Sequence, residues 1–279
     1  MTPLLKRTIS AVLLVAVLVG CLLLHPLCCA ALFAAALAVM AGEFYRMAMG
    51  RGTHKVPRAL ALCLIACVCL ASFLIKYYRL GLHWLLLAFP LLLVVLAAVL
   101  LDREKRIEVL TAQDICFPVA YMLPSFMISQ MLLFDRTGNY SPYLFIAVMV
   151  LVWINDVSAY AAGMAFGQRQ NSRKLAPHIS PNKSWAGAIG SVVFTLAAGA
   201  CLYLLGFFPI KLWQWLIAAF IVVVFGIFGD LFESLVKRHY GVKDSGNIIA
   251  GHGGMWDRFD GALFAIPAVT VFFILTSII

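Results

Sequence analysis

GDLFESLVKRHYGVKDSGNIIAGHGGMWDRFDG runs from Gly229 to Gly261 between two long apolar stretches. Nine of its 33 residues are Asp, Glu, Lys or Arg, in a 279-residue chain that is 64% hydrophobic and only 12% charged. A polar block set between apolar runs of that length belongs at a membrane surface. A soluble domain of this size carries roughly a quarter of its residues as charges, so the chain reads as an integral membrane protein.

Outward from that block, the apolar runs predict nine spans: residues 8–24, 27–42, 59–75, 83–101, 115–134, 142–165, 185–206, 212–232 and 261–279. Backbone polar groups in lipid must pair within their own segment, which makes each span a helix. The runs are far longer than the strands of an outer-membrane barrel. The expected fold is an all-α polytopic membrane protein with about nine transmembrane helices and a cytoplasmic N-terminus. The first two spans are short and meet at a tight turn through His25-Pro26. The first run follows Lys6 and Arg7 and looks like a signal peptide, but the spans that follow favour a retained helix.

Lys and Arg set the orientation. With the N-terminus inside, 17 fall on the cytoplasmic side and four (Lys76, Arg79, Arg136 and Lys211) outside, a strong positive-inside signal. The net charge of +9 therefore reads as attraction to anionic lipid, with no nucleic acid implied. The eight cysteines lie in or beside apolar runs and read as small buried hydrophobes. Residues 1–110 carry four spans and no evident chemistry, a scaffold or a dimer contact. Residues 111–279 carry five spans and the unusual polar features. Within the first region Glu43 is expected as a snorkelled or salt-bridged acid at the inner interface. The Asp102–Glu108 run, alternating in sign, reads as a solvated connector. No internal repeat is evident, which weakens a transporter reading.

Three polar elements stand out. Asp156 lies inside the sixth span, where a charge needs a polar cavity, a cation or a partner; a structural acid paired within the bundle is the plainer alternative. Gly163 and Gly167, further along, allow close helix approach. The loop Arg173–Trp185 is stiffened by Pro177 and Pro181 and brings Ser180, Asn182, Lys183 and Ser184 to the start of the seventh span. Free N–H groups there favour a phosphate, although an ordinary positive-inside loop has the same composition. Asp230, Glu233, Ser234 and Lys237 then share one helical stripe, and Gly251-His252-Gly253-Gly254 offers backbone N–H groups to a ligand. Asp257 and Asp260, three apart, share a face at the mouth of the last span, with Arg258 between them. Asp230, Asp257 and Asp156 could meet around Mg²⁺, a hard cation that takes oxygen ligands and phosphate; salt bridges are the alternative for any one of them.

Ser234-x-x-Lys237-Arg238-x-x-x-x-Lys243-Asp244 and Gly251-His252-Gly253-Gly254-x-x-Asp257-Arg258-x-Asp260 together resemble the signature of the phosphatidate cytidylyltransferase, or CDP-diacylglycerol synthase, family. Asp156-x-x-Ala159-Tyr160-x-x-Gly163-x-x-Phe166-Gly167, Ser180-Pro181-x-Lys183-Ser184-Trp185-x-Gly187 and Gly229-Asp230-Leu231-x-Glu233-Ser234 match the same family. The resemblance implies cytidylyl transfer from CTP to phosphatidic acid, giving CDP-diacylglycerol and pyrophosphate. It also implies a multi-pass inner-membrane homodimer with a cytoplasmic active site, membrane lipids around it, a need for Mg²⁺ and use of K⁺. Carried over residue by residue, Asp230 and Asp257 are the metal-binding acids, supported by Asp156 and Asp260. Lys237, Arg238, Lys243 and His252 complete the catalytic set. Ser180, Asn182, Lys183, Ser184, Gly253, Gly254 and Arg258 are expected to bind the nucleotide phosphates.

The chain departs from the family's pattern in four places. Ala250 stands where Pro is usual, Ala186 where Glu is usual, Ser184 where Thr is frequent, and Gly261 where Ser is frequent. Ala186 removes a charge from the loop assigned to phosphate; the acids are untouched. Two other classes compete: a lipid or polyprenol kinase using the same constellation, and a transporter gated by Asp156, which gives no reason for the glycine-rich segment and its two acids.

Overall fold

The computed structural model describes residues 3–50, 54–100, 109–168, 173–248 and 253–279. The Asp102–Glu108 connector, Arg51, Arg169 and His252 lie outside the described residues. In chain order the helices are α1 (Pro3–Leu24), α2 (Pro26–Met49), α3 (Lys55–Tyr77), a 3₁₀ turn (Leu82–Leu87), α4 (Ala88–Leu100), α5 (Val109–Ala120) and α6 (Met122–Ser129). A second 3₁₀ turn (Gln130–Leu133) leads to α7 (Tyr143–Phe166). Then come strands β1 (Lys174–Ala176) and β2 (Ser180–Ser184), followed by α8 (Trp185–Leu205), α9 (Leu212–His239), α10 (Trp256–Phe259) and α11 (Ala262–Leu275). Among the described residues seven stretches are helical, long and apolar enough to cross a membrane: Pro26–Met49, Lys55–Tyr77, Ala112–Leu133, Tyr143–Phe166, Trp185–Leu205, Leu212–His239 and Trp256–Leu275. Ile9–Leu24 and Ala88–Val99 are shorter apolar helices. The protein is an all-α polytopic membrane protein, with one small β-hairpin among the described residues.

The helices fall into two compact units. The first comprises Met1–Gln130, Thr137–Tyr140 and Asp244–Arg258. Its centre is α2, which packs on α1, α3, α5 and α6. Cys29, Phe33, Leu37, Met40 and Phe44 recur at helical spacing along its buried side. Phe44 stacks on Phe117 with ring centroids 4.6 Å apart, and Phe33 meets Phe126 edge-on at 5.7 Å. At the predicted α1–α2 turn, the His25 imidazole accepts the Leu27 N–H at 3.2 Å while Pro26 opens α2. The span predicted at 115–134 breaks at Tyr121, because Pro124 has no N–H to return to the Ala120 carbonyl.

The second unit comprises Met131–Arg136, Ser141–Lys243 and Phe259–Ile279. Here α7 packs along α8, α8 along α9, and α9 along α11. Loop 173–185 is an antiparallel hairpin, with Lys174 opposite Ser184 and Ala176 opposite Ser180. Its turn falls at Pro177-His178, and its last residue opens α8 directly.

Candidate functional site

In the second unit the polar side chains converge where α7, β2, α9 and the start of α11 meet. Gly229 sets the approach: a Cβ there would lie 2.5 Å from the Asp260 carbonyl oxygen. Only a residue without a side chain lets α9 come this close to the segment entering α11. Asp230 follows Gly229, and Glu233 stands one turn further along α9. Carboxylate oxygens of Asp230, Glu233 and Asp260 all lie within 4.8 Å of one another. Asp260 also accepts the Gly261 N–H at 2.7 Å, which fixes its orientation.

Two lysines answer these acids. Lys183, on β2, forms an ion pair with Asp230. Lys237, one turn beyond Glu233, pairs with it at 2.6 Å. Exposure separates the two pairs: the Glu233 side chain is 1% exposed and that of Asp230 is 40%. Glu233 is therefore a buried anchor, whereas Asp230 presents oxygen to an incoming group. Asp156 on α7 accepts a hydrogen bond from Asn155 Nδ2 at 3.1 Å and, with Asp230 and Lys183, acts electrostatically on Asp260. Four acids, Asp156, Asp230, Glu233 and Asp260, against two lysines leave a formal charge of −2. Hard oxygen donors, close spacing and that residual charge suit a divalent cation such as Mg²⁺.

The remaining predicted residues of this unit have other surroundings. The Ser184 hydroxyl accepts the Gly187 N–H at 3.2 Å and so caps α8. A Cβ on Gly167 would collide with that hydroxyl. Ser180 is partly buried and Asn182 exposed on β2. Arg238 is exposed and donates to the Val242 carbonyl at 3.1 Å, closing the end of α9. Lys243 is exposed in the segment beyond.

Gly253, Gly254, Asp257 and Arg258 belong to the first unit. There the Asp257 carboxylate accepts the Gly254 N–H at 2.8 Å and the Ser245 N–H at 3.0 and 3.2 Å. These are charge-assisted bonds that hold the glycine segment against the start of α10. Arg258 is exposed. Glu43, expected as an interfacial acid, is instead fully buried in this unit and bonded to the same segment. Its partners lie more than 200 residues away in sequence, and no local pattern announces them. Glu233 was visible as part of the α9 stripe, but its place in the acid group depends on Asp260 reaching back to α9.

A family model described as the cytidylyltransferase family matches residues 5–276. Among similar proteins, one from Staphylococcus saprophyticus is 37% identical over 171 residues, which is 61% of this chain and 62% of the relative. One from Staphylococcus haemolyticus is 35% identical over the same length and shares. One from Bacillus subtilis is 46% identical over 125 residues, 45% of each chain. All three bear the name phosphatidate cytidylyltransferase. The matched stretches thus span under two thirds of these relatives' own length.

Proposed function

The chain belongs to the cytidylyltransferase family, and on that premise we propose that it transfers the cytidylyl group of CTP to phosphatidic acid, forming CDP-diacylglycerol and pyrophosphate. The observation that carries this reading is the group of Asp230, Glu233 and Asp260 bracketed by Lys183 and Lys237. In the reaction an oxygen of the phosphatidate monoester attacks the α-phosphorus of CTP. A new P–O bond forms, the bond to the bridging α–β oxygen breaks, and pyrophosphate leaves with that electron pair. The nucleophile is already largely ionised near neutral pH, since such monoesters have a second pKa of about 6. No strong general base is therefore required. The difficulty is bringing two anions together, which charge neutralisation and positioning overcome.

Asp230, Glu233 and Asp260, supported by Asp156, would hold Mg²⁺, which when bound supplies neutralisation of phosphate charge. Asp257 enters the metal proposal through the sequence reading and the family resemblance. Lys183 and Lys237 would place ammonium groups beside the phosphates, and Arg238, Lys243 and Arg258 would add guidance at the exposed edge. His252 and the Gly253 backbone are proposed as phosphate donors, as are Ser180, Asn182 and Ser184; the Gly254 N–H is held by Asp257, so Gly254 would serve by shaping the segment. K⁺ use and a homodimer are proposals of the same kind.

The Lys and Arg distribution supports a cytoplasmic site in the inner membrane. Counting Ile9–Leu24 and the stretch around Ala88–Val99 as spans gives nine and a ratio of 17 to 4; omitting both gives 15 to 6. CTP then arrives from water while the acyl chains stay in lipid.

The test is purified full-length protein in detergent with labelled CTP and phosphatidic acid, with and without Mg²⁺, followed by lipid extraction. A Mg²⁺-dependent CDP-lipid is expected. Failure to form one with phosphatidate, while a polyprenol or other lipid is phosphorylated, would overturn the reading in favour of a kinase.

A further inference from the structure

Glu43 lies near the end of α2 and is fully buried. An ionised carboxylate in such a place is costly unless hydrogen bonds replace its lost water. Here they come from one segment of chain. Oε1 accepts the Met255 N–H at 3.0 Å, and Oε2 accepts the Trp256 N–H at 3.0 Å and the Ser245 hydroxyl at 3.3 Å. The fit is close: a Cβ on Gly246 would come within 2.7 Å of Oε1, and one on Gly254 within 2.6 Å of Oε2. The next residue along α2, Phe44, meets the buried Trp256 ring edge-on at 5.8 Å.

Asp257 grips the same segment. Ser245 donates its N–H to Asp257 and its hydroxyl to Glu43. The consecutive amides of Gly254, Met255 and Trp256 donate to Asp257, Glu43 and Glu43 in turn. Two carboxylates from distant parts of the chain thus share one run of donors. Displacing Glu43 would shift the Met255-Trp256 backbone and, with it, the first turn of α10 on which Asp257 and Arg258 stand.

We infer that Glu43 is a positioning residue: through the backbone of Met255 and Trp256 it sets the place of the Asp257 carboxylate. Its effect on turnover rests on the proposed cytidylyl transfer; its effect on the segment does not. The decisive variant is Glu43→Gln, which keeps size but turns an amide nitrogen toward an N–H or hydroxyl donor. In full-length protein in detergent, amide hydrogen exchange in peptides covering 244–248 and 253–258 is expected to accelerate about tenfold or more. Peptides from α8 and α9 should keep wild-type exchange. The kcat for CDP-lipid formation is expected to fall by about tenfold to a hundredfold, the scale of a small misplacement of reacting groups. KM for CTP should stay within about twofold, because uniform binding is not what is lost.

Unchanged exchange at 253–258 would overturn the inference. So would loosening spread evenly over all helices with kcat per folded molecule at the wild-type level, the mark of a merely structural acid. If Glu43→Gln does not fold, Ser245→Ala removes only the hydroxyl donor, and unaltered exchange at Met255 and Trp256 would overturn the inference equally. A wild-type protein that makes no CDP-lipid would sink the proposed reaction and leave the exchange measurements to decide Glu43.

Discussion

Asp230 and Glu233 stand one turn apart on α9, and their surroundings give them different work. Glu233 is buried against Lys237, so removing its charge strands an ammonium away from water. Breaking a buried pair from one side costs about 3 kcal/mol or more. Glu233→Gln is therefore expected to lower the melting temperature in detergent, and Glu233→Gln with Lys237→Met to recover much of the loss without recovering activity. Asp230 is far more exposed, although the ammonium of its partner Lys183 is shielded from solvent, so Asp230→Asn should lower melting less than Glu233→Gln does. Its cost should appear in turnover, by about a hundredfold or more if electrostatic stabilisation is lost. Mg²⁺ titration of cytidylyl transfer separates the two variants; near-wild-type turnover of Asp230→Asn at limiting Mg²⁺ would remove Asp230 from the metal proposal.

At the scale of elements, the site depends on how closely α9 approaches the start of α11. A methyl on Gly229 meets the Asp260 carbonyl oxygen, and backbone cannot swing aside as a flexible side chain can. Gly229→Ala is expected to cost about 1–3 kcal/mol, typical of an overpacked contact, and to weaken Mg²⁺ activation by separating Asp230 from Asp260. Ser184→Ala removes the cap of α8 at about 1 kcal/mol and with it the hydroxyl proposed as a phosphate donor, so melting temperature should fall and KM for CTP should rise. Long apolar runs made most helices legible in advance, because hydrocarbon leaves the backbone no other partner. The Asp230–Glu233–Lys237 stripe was legible because helical spacing alone aligns it. The hairpin was not: Lys174–Ala176 is only three residues long, Ser180–Ser184 is polar and carries Pro181, and each is a strand only because the other pairs with it. Glu43 was misread as an interfacial acid for a related reason, since its donors are brought to it by the fold and not by neighbours in sequence.

For the whole molecule, the seven long apolar helices and the two shorter ones allow nine membrane crossings or seven. Both counts place the termini on opposite sides, so tagging the ends decides nothing. They differ at the connection between α2 and α3. With α1 and the Leu82–Leu100 stretch both crossing, Lys55 lies on the same side as the β-hairpin; with neither crossing, it lies on the opposite side. The charge asymmetry favours the first, because Arg46, Lys55 and Arg58 then join Lys174 and Lys183 on the basic side. The 3₁₀ turn and α4 together run from Leu82 to Leu100, 19 residues, close to the roughly 20 that a helical span requires. With the eight native cysteines replaced, Lys55→Cys and Asn182→Cys are expected to react alike with a membrane-impermeant thiol reagent in oriented vesicles. Both should be protected in intact cells and labelled in inverted membranes. Opposite labelling of the two positions would return the count to seven, and labelling of Asn182→Cys from outside would remove the hairpin from the side where CTP is supplied.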